Sequence, residues 1–303
     1  ILLDANNVEK SNPNHCYQKP LGYQLVHQYA IENLDIVEYD NISYQKYLKT
    51  VTSTDYMNNQ PMKPTVTENS YDSNLHYQLT SKKTSHSDGN TGENTYQYAY
   101  EQNNADMITA NMVSIPLHTE IKENGKIISK TKTVYAKNAQ TANLILPVSA
   151  QKFYNDNAAS ANTLVNYNQY DTQGHLLQYT LKGSVPTAIV WGYNNTLPIA
   201  KVEGATYQEV QGLASGIIAK SNTDTDPASE KILMNALDSF RNQAAFKNYS
   251  ITTYTYDPLI GVTSVTPSTG IRQFYKYDSS NRLQSVVDAN NNIVKELSYN
   301  YQH

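Results

Sequence analysis

Apolar and aromatic residues alternate with polar ones over short stretches along most of this chain, and polar residues that favour turns separate the stretches. Near the C-terminus, Tyr254 and Tyr256 stand two residues apart, as do Tyr275 and Tyr277. Side chains two apart project from the same face of a β-strand, and Tyr, Thr and Val suit a pleated surface. The pattern therefore predicts a chain built mainly of short antiparallel strands.

Two dipeptides mark hairpins between such strands. Asp88-Gly89 and Asn124-Gly125 each lie between alternating stretches, and Asp-Gly and Asn-Gly are strong signals for tight β-hairpin turns. The segment 204–247 breaks the strand pattern and predicts two helices. Thr206 and Glu209 form a capping box at the start of the first helix, and Asp226 followed by Pro begins the second. We expect this helical hairpin to cover a sheet edge or one end of the sheet, with docking of a partner as the alternative.

A Tyr-Asp pair returns in a similar seven-residue setting. The three copies read YDTQGHL at 170–176, YDPLIGV at 256–262 and YDSSNRL at 277–283, and the better preserved copies are spaced about 21 residues apart. Such self-similarity indicates one repeated supersecondary unit, here two short strands and two turns. A lone hairpin is marginal in water, so the units must stack edge to edge. We expect each Tyr to pack with its hydroxyl hydrogen-bonded or wet, and each Asp to cap its turn.

These copies resemble the YD-repeat, or RHS-repeat, family, whose loose pattern is Tyr-Asp-x-x-Gly-Arg-Leu. The resemblance covers roughly residues 30–303 and is most specific at 252–301. It implies a mainly β fold: a coiled antiparallel sheet, as a β-solenoid or an open, barrel-like shell, with one helical hairpin insertion. The residues to which it assigns structural roles in the repeat are Tyr170, Asp171, Gly174, Leu176, Tyr256, Asp257, Gly261, Tyr277, Asp278, Arg282 and Leu283.

The resemblance divides the chain into three segments. They are an irregular repeat region at 1–203, the helical insertion at 204–247, and tandem repeats at 248–303. The family serves as a container for a toxin, as an adhesive stalk on the cell surface, or as a carrier of a variable C-terminal domain. Toxin-carrying members close the shell with an Asp-Pro-x-Gly-Leu self-cleavage motif, to which the segment 257–261 is only similar. We also expect no toxin domain downstream of the last repeat, and both points weaken the container interpretation.

Composition and charge exclude several classes of function. The chain of 303 residues has 26 Tyr against 4 Phe and 1 Trp, with a mean hydropathy of -0.60, so Tyr must supply part of its interior. A net charge of -4 gives no basic footprint for nucleic acid. The single Cys16 excludes an intrachain disulfide and a cysteine-based zinc site. No apolar run reaches the length of a membrane span, and the start at Ile1 indicates a piece of a longer precursor.

Candidate chemistry is sparse. No nucleophile elbow, zinc-binding helix, phosphate loop or dinucleotide motif is present, and His15-Cys16 is interpreted as an incidental pair. Asp171, Asp257 and Asp278 recur once per repeat, which favours turn caps over the paired carboxylates of a glycosidase. The oxygen-rich segment 288–292 lacks the Gly and Glu of an EF-hand loop. We therefore expect no catalytic residues, no metal and no cofactor. Tyr-rich faces could alternatively serve as platforms for sugars.

The leading hypothesis is a non-enzymatic structural and interaction module of an exported or cell-surface bacterial protein, adhesive or scaffolding in role. Expected partners are other parts of the precursor, glycans, the cell envelope, the secretion machinery or an encapsulated toxin. One alternative is part of a shell that encloses or carries a toxin, which would co-purify with a second polypeptide. Another is a glycan-binding or glycan-active protein, for which an enzyme would show two carboxylates with raised or split pKa values facing one cleft.

Overall fold

The computed structural model describes residues 46–153 and 161–299. The strands and helices given below belong to the compact unit Lys49–His303. The pair His15-Cys16 lies outside the described residues.

Strands dominate the described part of the chain. In chain order they are β1 (Thr50–Ser53), β2 (Tyr56–Met57), β3 (Gln60–Pro61), β4 (Thr65–Ser70), β5 (Ser81–Ser85), β6 (Thr91–Gln97), β7 (His118–Glu123), β8 (Lys126–Ala136), β9 (Leu146–Phe153), β10 (Ala161–Tyr170), β11 (Leu176–Leu181), β12 (Pro186–Gly192), β13 (Leu197–Glu203), β14 (Ser250–Asp257), β15 (Gly261–Thr266), β16 (Gln273–Tyr277), β17 (Leu283–Asp288) and β18 (Ile293–Glu296).

Sixteen of these strands form one sheet in which neighbours in space are neighbours in sequence. All of its strand pairs are antiparallel, from the pair of β1 and β4 to the pair of β17 and β18. Strands β2 and β3 form a small separate hairpin between β1 and β4. In the described part of the chain, β1 and β18 remain the two edges, so this sheet is open. The predicted mainly β, antiparallel fold is confirmed.

The turns follow the dipeptide signals. Asn124 and Gly125 both have positive φ angles, of 49° and 77°, which a two-residue hairpin of the favoured kind requires. They connect β7 to β8, whose register begins at the pair of Glu123 and Lys126. The predicted Asn-Gly hairpin is therefore confirmed.

The helices are α1 (Ala105–Thr109), α2 (Tyr207–Gln211), α3 (Ser215–Ser221) and α4 (Pro227–Arg241). The last three lie between β13 and β14, which pair directly with each other, so the helical segment is an insertion between neighbouring strands. No helix in the described ranges is long and apolar enough to cross a membrane.

The helical insertion differs from the two-helix expectation in one respect. The first predicted helix is split into α2 and α3, and Gly212 is the C-cap residue of α2. Glycine is a poor helix former, and the break lets Val210, Ala214 and Ile217 all become buried. The predicted start of α4 is confirmed, because the Asp226 carboxylate accepts hydrogen bonds from two backbone amides of its first turn, each at 2.8 Å.

The main core lies between the helical insertion and one face of β12–β14. Its members are almost free of solvent contact and include Ala188, Val190, Ile199, Val202, Ile251, Leu233, Leu237 and Phe240. Burying one large apolar side chain contributes about 1.5–3 kcal/mol, so this cluster is the strongest hydrophobic contact of the described sheet. A smaller cluster of Ala99, Met107 and Leu117 joins α1 to the strands around β6 and β7.

Candidate functional site

The Tyr-Asp repeat residues come together at the turns that connect neighbouring strands. In two copies the Tyr pairs across the turn with the Leu six residues later, as Tyr170 with Leu176 and Tyr277 with Leu283. In the third copy Tyr256 pairs with Val262. The repeated unit is thus the end of one strand, a tight turn and the start of the next strand.

Asp171 organises the turn of the first copy. Its Oδ1 accepts hydrogen bonds from the backbone amides of Gln173 and His175, at 2.9 and 2.8 Å. Its Oδ2 lies 2.9 Å from His175 Nδ1 and accepts from the Asn195 amide at 2.8 Å. Burial raises the pKa of this carboxyl, but these hydrogen bonds outweigh it and lower the pKa to about 2. Gly174 provides the left-handed residue of the turn, at φ 91°.

Asp278 repeats this arrangement with an arginine partner. Its Oδ1 accepts from the amides of Ser280 and Arg282, at 2.8 and 3.0 Å, and its Oδ2 binds the Arg282 Nε and Nη2 at 2.8 and 2.7 Å. The Arg282 hydrogen bonds lower the pKa of Asp278. Asn281 takes the place of the glycine, at φ 58°.

The Asp257 copy is looser. Asp257 accepts from the Leu259 amide at 3.0 Å. Gly261 lies one position later than the glycine of the first copy and pairs directly with Asp257 across the turn. Its φ is 152°. Leu259 at the tip is 92% exposed, so this turn offers an apolar side chain to solvent.

Two further turns have the same backbone pattern, although the sequence did not group them with the Tyr-Asp copies. Asp288 accepts from the amides of Asn290 and Asn292, each at 2.8 Å, and from the Asn292 side chain at 2.9 Å. At the other turn, His86 occupies the place of the aspartate and Gly89 has φ 93°. Val287 or Ser85 replaces the Tyr in these copies, and the spacing of strand, polar turn and strand was the signal that could have assigned them to the repeat. At Asp288 this cap accounts for the oxygen-rich segment, and no group of three or more metal-ligating side chains is present within the described ranges.

Tyrosine hydroxyls tie several strand ends to the start of the preceding strand. Five tyrosines in the described part donate to a backbone carbonyl at the start of that strand, or just before it, at 2.7–2.9 Å: Tyr98 to Leu79, Tyr170 to Pro147, Tyr256 to Pro198, Tyr277 to Val262 and Tyr299 to Leu283. We call these contacts the tyrosine latches. Burial raises the pKa of Tyr256 to about 12 and also raises the pKa values of Tyr98, Tyr170 and Tyr277. These four phenols therefore remain protonated donors at neutral pH.

A groove of about 740 Å³ lies at the C-terminal end of α4. We call it the α4 groove, and its lining residues include Asp238, Arg241, Asn242, Gln243, Lys247, Tyr249, Thr266 and Ser268. Its volume falls within the range of about 300–1,000 Å³ that is typical of small-molecule sites. No motif marked this site in the sequence, because its residues come from separate segments. They are the end of α4, the turn that follows it, the start of β14 and the end of β15.

A smaller pocket of about 220 Å³ contains carboxylates. It is lined by Asp224, Asp226, Glu230 and Asp257, together with Tyr256 and Thr263. Burial raises the pKa of Asp224, whose Oδ2 accepts a 2.6 Å hydrogen bond from Tyr193. Backbone hydrogen bonds from Ser229 and Ala228 lower the pKa of Asp226. Glu230 binds the Thr255 and Thr263 hydroxyls, so its carboxylate also fastens α4 to β14 and β15.

Comparisons with known proteins add little to this geometry. No protein family matches the sequence, and no curated protein does so either. Among solved structures, the TcdB2-TccC3 crystal structure is similar over 80% of this chain and 12% of its own, at 12% identity and a TM-score of 0.35. A structure of a Photorhabdus luminescens Tc holotoxin pore is similar over 78% of this chain and 12% of its own, at 12% identity and a TM-score of 0.30. The crystal structure of a porin-like protein from Bacteroides uniformis is similar over 79% of this chain and 81% of its own, at 12% identity and a TM-score of 0.27.

These likenesses are too distant to carry an argument about this chain. The chain spans only about an eighth of the Tc toxin chains that it matches. The function must therefore be inferred from the geometry of the sheet and its sites.

Proposed function

We propose that this chain is a non-enzymatic structural and interaction module of an exported or cell-surface protein of the RHS-repeat type. The observation that carries the proposal is the use of the repeat residues. The aspartates cap turns and the tyrosines latch strands, so the most frequent chemical groups of the repeats serve to hold a long sheet together. A carboxylate that accepts hydrogen bonds from two backbone amides of its own turn has a structural role in that turn.

The face of β11–β14 opposite the helices supports a role in interaction. Ile189 and Lys201 lie directly opposite each other on this face, and Tyr179 and Tyr254 lie on the same face of neighbouring strands by alternation. All four side chains are half-buried. Aromatic rings with a wet hydroxyl are common in binding surfaces because they offer apolar area and a polar group together.

Surface labelling of intact cells tests the proposed location. The full chain is labelled in the producing cells with an amine reagent that does not cross membranes, and the labelled fraction is compared with that after lysis. We expect substantial labelling before lysis, on exposed lysines such as Lys231 and Lys276. Labelling that occurs only after lysis would overturn the proposed surface or exported location.

A toxin-carrying shell is the variant of this role that the same sheet could serve. An open sheet of sixteen strands could form part of an enclosing wall. Under this variant, cross-linking before purification should join the chain to a second polypeptide in fixed proportion. Recovery of the chain without such a partner favours the adhesive or scaffolding role.

Hydrolysis of a glycan is a second candidate function, and the carboxylate pocket is the observation that favours it. In this pocket Asp224 has a raised pKa and Asp226 a lowered one. This division suits a general acid and a general base. Release of new reducing ends from polysaccharides by the wild type, lost in Asp224→Asn, would overturn the non-enzymatic proposal. We expect no release, because both carboxylates are held by contacts within the helical insertion and the sheet.

A further inference from the structure

The α4 groove has an excess of positive charge. Arg241 and Lys247 line it, and Arg272 lies close by with its Nη2 2.7 Å from Asp238 Oδ1. Asp238 is the carboxylate of the lining, and it is shared with Arg272. The cations of the groove therefore outnumber its carboxylates, and a bound anion would find an attractive field.

Arg241 is held in place by neutral groups. Its guanidinium donates to the backbone carbonyls of Ile251, Thr266 and Pro267, the last two at 3.0 and 2.7 Å. Carbonyl oxygens orient a guanidinium without cancelling its charge. Burial lowers the pKa of Arg241, and the charge of Arg272 adds to this effect, partly offset by Asp238. The site thus concentrates positive charge on a fixed, half-buried group.

Lys247 is a free cation at the rim of the groove. Its side chain is exposed, and no carboxylate within the described ranges pairs with its ammonium. A flexible, unpaired lysine beside a fixed arginine can follow an anionic group into the groove.

The remaining lining suits a ring that carries many hydroxyls. The Tyr249 ring packs 6.2 Å from the Phe246 ring, and its hydroxyl donates to Glu209 at 3.2 Å, so the ring is held from two sides. Asn242, Gln243 and Ser268 add amide and hydroxyl groups to the lining. A rigid aromatic wall with a few polar groups that fix orientation is the usual composition of a small-molecule site.

We propose that the α4 groove binds an anionic saccharide, a sugar ring that carries a carboxylate or another acidic group. Lys247 and Arg241 attract the anionic group, Tyr249 contacts the sugar ring, and the amide side chains bind its hydroxyls. The proposal deepens the interaction role above and rests on it, because it names the ligand class of such a module.

Titration calorimetry of the full chain with tetragalacturonate tests the proposal. We expect saturable binding at one site that weakens as salt is added, and much weaker binding of the neutral maltotetraose. Lys247→Gln should weaken the affinity about threefold, the size of an exposed charge contact. Tyr249→Ala should weaken it about tenfold as an aromatic contact is lost.

Matched variants separate recognition from general effects. Lys231→Gln removes the same charge from an exposed lysine of α4 outside the groove lining, and should leave the affinity unchanged. Tyr249→Phe keeps the ring and should retain most of the binding. If Tyr249→Ala does not fold, Lys247→Gln and Lys247→Glu carry the test, with Lys247→Glu expected to bind more weakly than Lys247→Gln.

Three outcomes would overturn the inference. They are equal binding of maltotetraose and tetragalacturonate, equal binding of tetraglutamate or of inorganic phosphate alone, and an effect of Lys231→Gln that matches that of Lys247→Gln. Surface labelling of cells does not depend on the groove. Loss of groove binding with normal labelling would therefore overturn this inference alone, while absence of labelling would count against the interaction module itself.

Discussion

At each Tyr-Asp copy, a single phenol hydroxyl donates a hydrogen bond that joins the turn to the preceding strand. Tyr170 is buried apart from 8% of its surface, and its hydroxyl reaches the Pro147 carbonyl at 2.7 Å. Phenylalanine would fill the same space without the hydroxyl. The carbonyl would then be left without this donor in a half-buried place, which is costlier than the net value of an average hydrogen bond.

Tyr170→Phe should therefore lower the free energy of unfolding by about 1–2 kcal/mol. The measurement is an equilibrium urea titration of the full chain. Tyr56→Phe serves as the control, because Tyr56 is 70% exposed and its substitution should change stability by less than about 0.5 kcal/mol. Equal effects of the two substitutions would show that the latch contributes nothing.

Asp171 should make the free energy of unfolding depend on pH in the acidic range. Its pKa is lowered from 3.8 to about 2 in the folded chain, so its contribution is complete above pH 3.8. As the pH falls below 3.8 the unfolded chain binds the proton first, stability declines, and the contribution is gone below about pH 2. Asp171→Asn should flatten the fall of unfolding free energy across this window, as measured by denaturant titration at several pH values.

The exposed Asp55 provides the control for this acid dependence. Asp55→Asn should keep the pH profile of the wild type. A profile of Asp171→Asn that runs parallel to that of the wild type would contradict the assignment of the carboxylate to the turn.

At the residue level, the sequence predicts local contacts better than distant ones. The capping role proposed for Asp171 depends on amides two and four residues later, and any Asp in a tight turn has these within reach. The partner of the Tyr170 hydroxyl lies on the preceding strand, β9, and a bulge shifts the register of β9 with β10 between Thr163 and Val165. Bulges leave little signal in one sequence, so the carbonyl acceptors could not be named in advance.

At the scale of the elements, α3 packs against β12 so closely that no side-chain atom fits at Gly192. An added Cβ at Gly192 would overlap Ser221 Oγ and lie 2.8 Å from two methyl carbons of Ile199. Ser221 accepts from the Tyr193 amide at 3.1 Å and donates to the Ile218 carbonyl at 2.8 Å, so it is not free to move. The absence of a side chain at Gly192 allows the helical insertion to seat on the sheet.

Gly192→Ala should destabilise the chain by about 1–3 kcal/mol, the usual cost of overpacking. Fluorescence of Trp191, the only tryptophan and the adjacent residue, should report the disturbance in the same urea titration. Gly212→Ala is the matched control, because a Cβ there meets nothing within 4 Å and the backbone is helical at φ -66°. A loss of stability of similar size in both variants would contradict close packing at Gly192.

The elements show where sequence patterns suffice and where they do not. Capping at Asp226 and the Asn-Gly hairpin were predictable because each is decided within a few residues. The break between α2 and α3 was not, because one apolar stripe ran through it and a single Gly212 does not decide where a helix ends; packing on the sheet also contributes to the break. The groove lining at Arg241, Lys247 and Tyr249 depends in the same way on how the insertion meets the sheet.

Across the whole molecule, stability should be distributed by neighbourhood. The large core cluster stabilises β12–β14, the smaller one stabilises the region of β6 and β7, and β1 and β18 are exposed along their full lengths. In an array where each unit contacts its neighbours, stability is a sum of local contributions. Amide hydrogen exchange should be slowest in β12–β14 and fastest at the two edges.

Two core substitutions test this distribution. Leu237→Ala should speed exchange in β12–β14, and Met107→Ala should speed it in β6–β8, each by the loss of about 2–5 kcal/mol of local stability. Each variant serves as the control for the other, and exchange measured by mass spectrometry resolves the two regions. Uniform acceleration over the whole sheet by either variant would show instead that it opens as one unit.

The consecutive order of the strands has a consequence for how the chain reaches its shape. Every ladder of the large sheet joins a strand to the one just before it in that sheet, so most strands pair with a segment that lies nearby in the chain. The pair of β13 and β14 is the exception, because the helical insertion lies between them. Short loops close at small entropic cost. A chain delivered gradually from one end, from a ribosome or through a narrow channel, could add one strand at a time to a growing edge, and the tyrosine latches would fasten several of these additions before the next strand arrives.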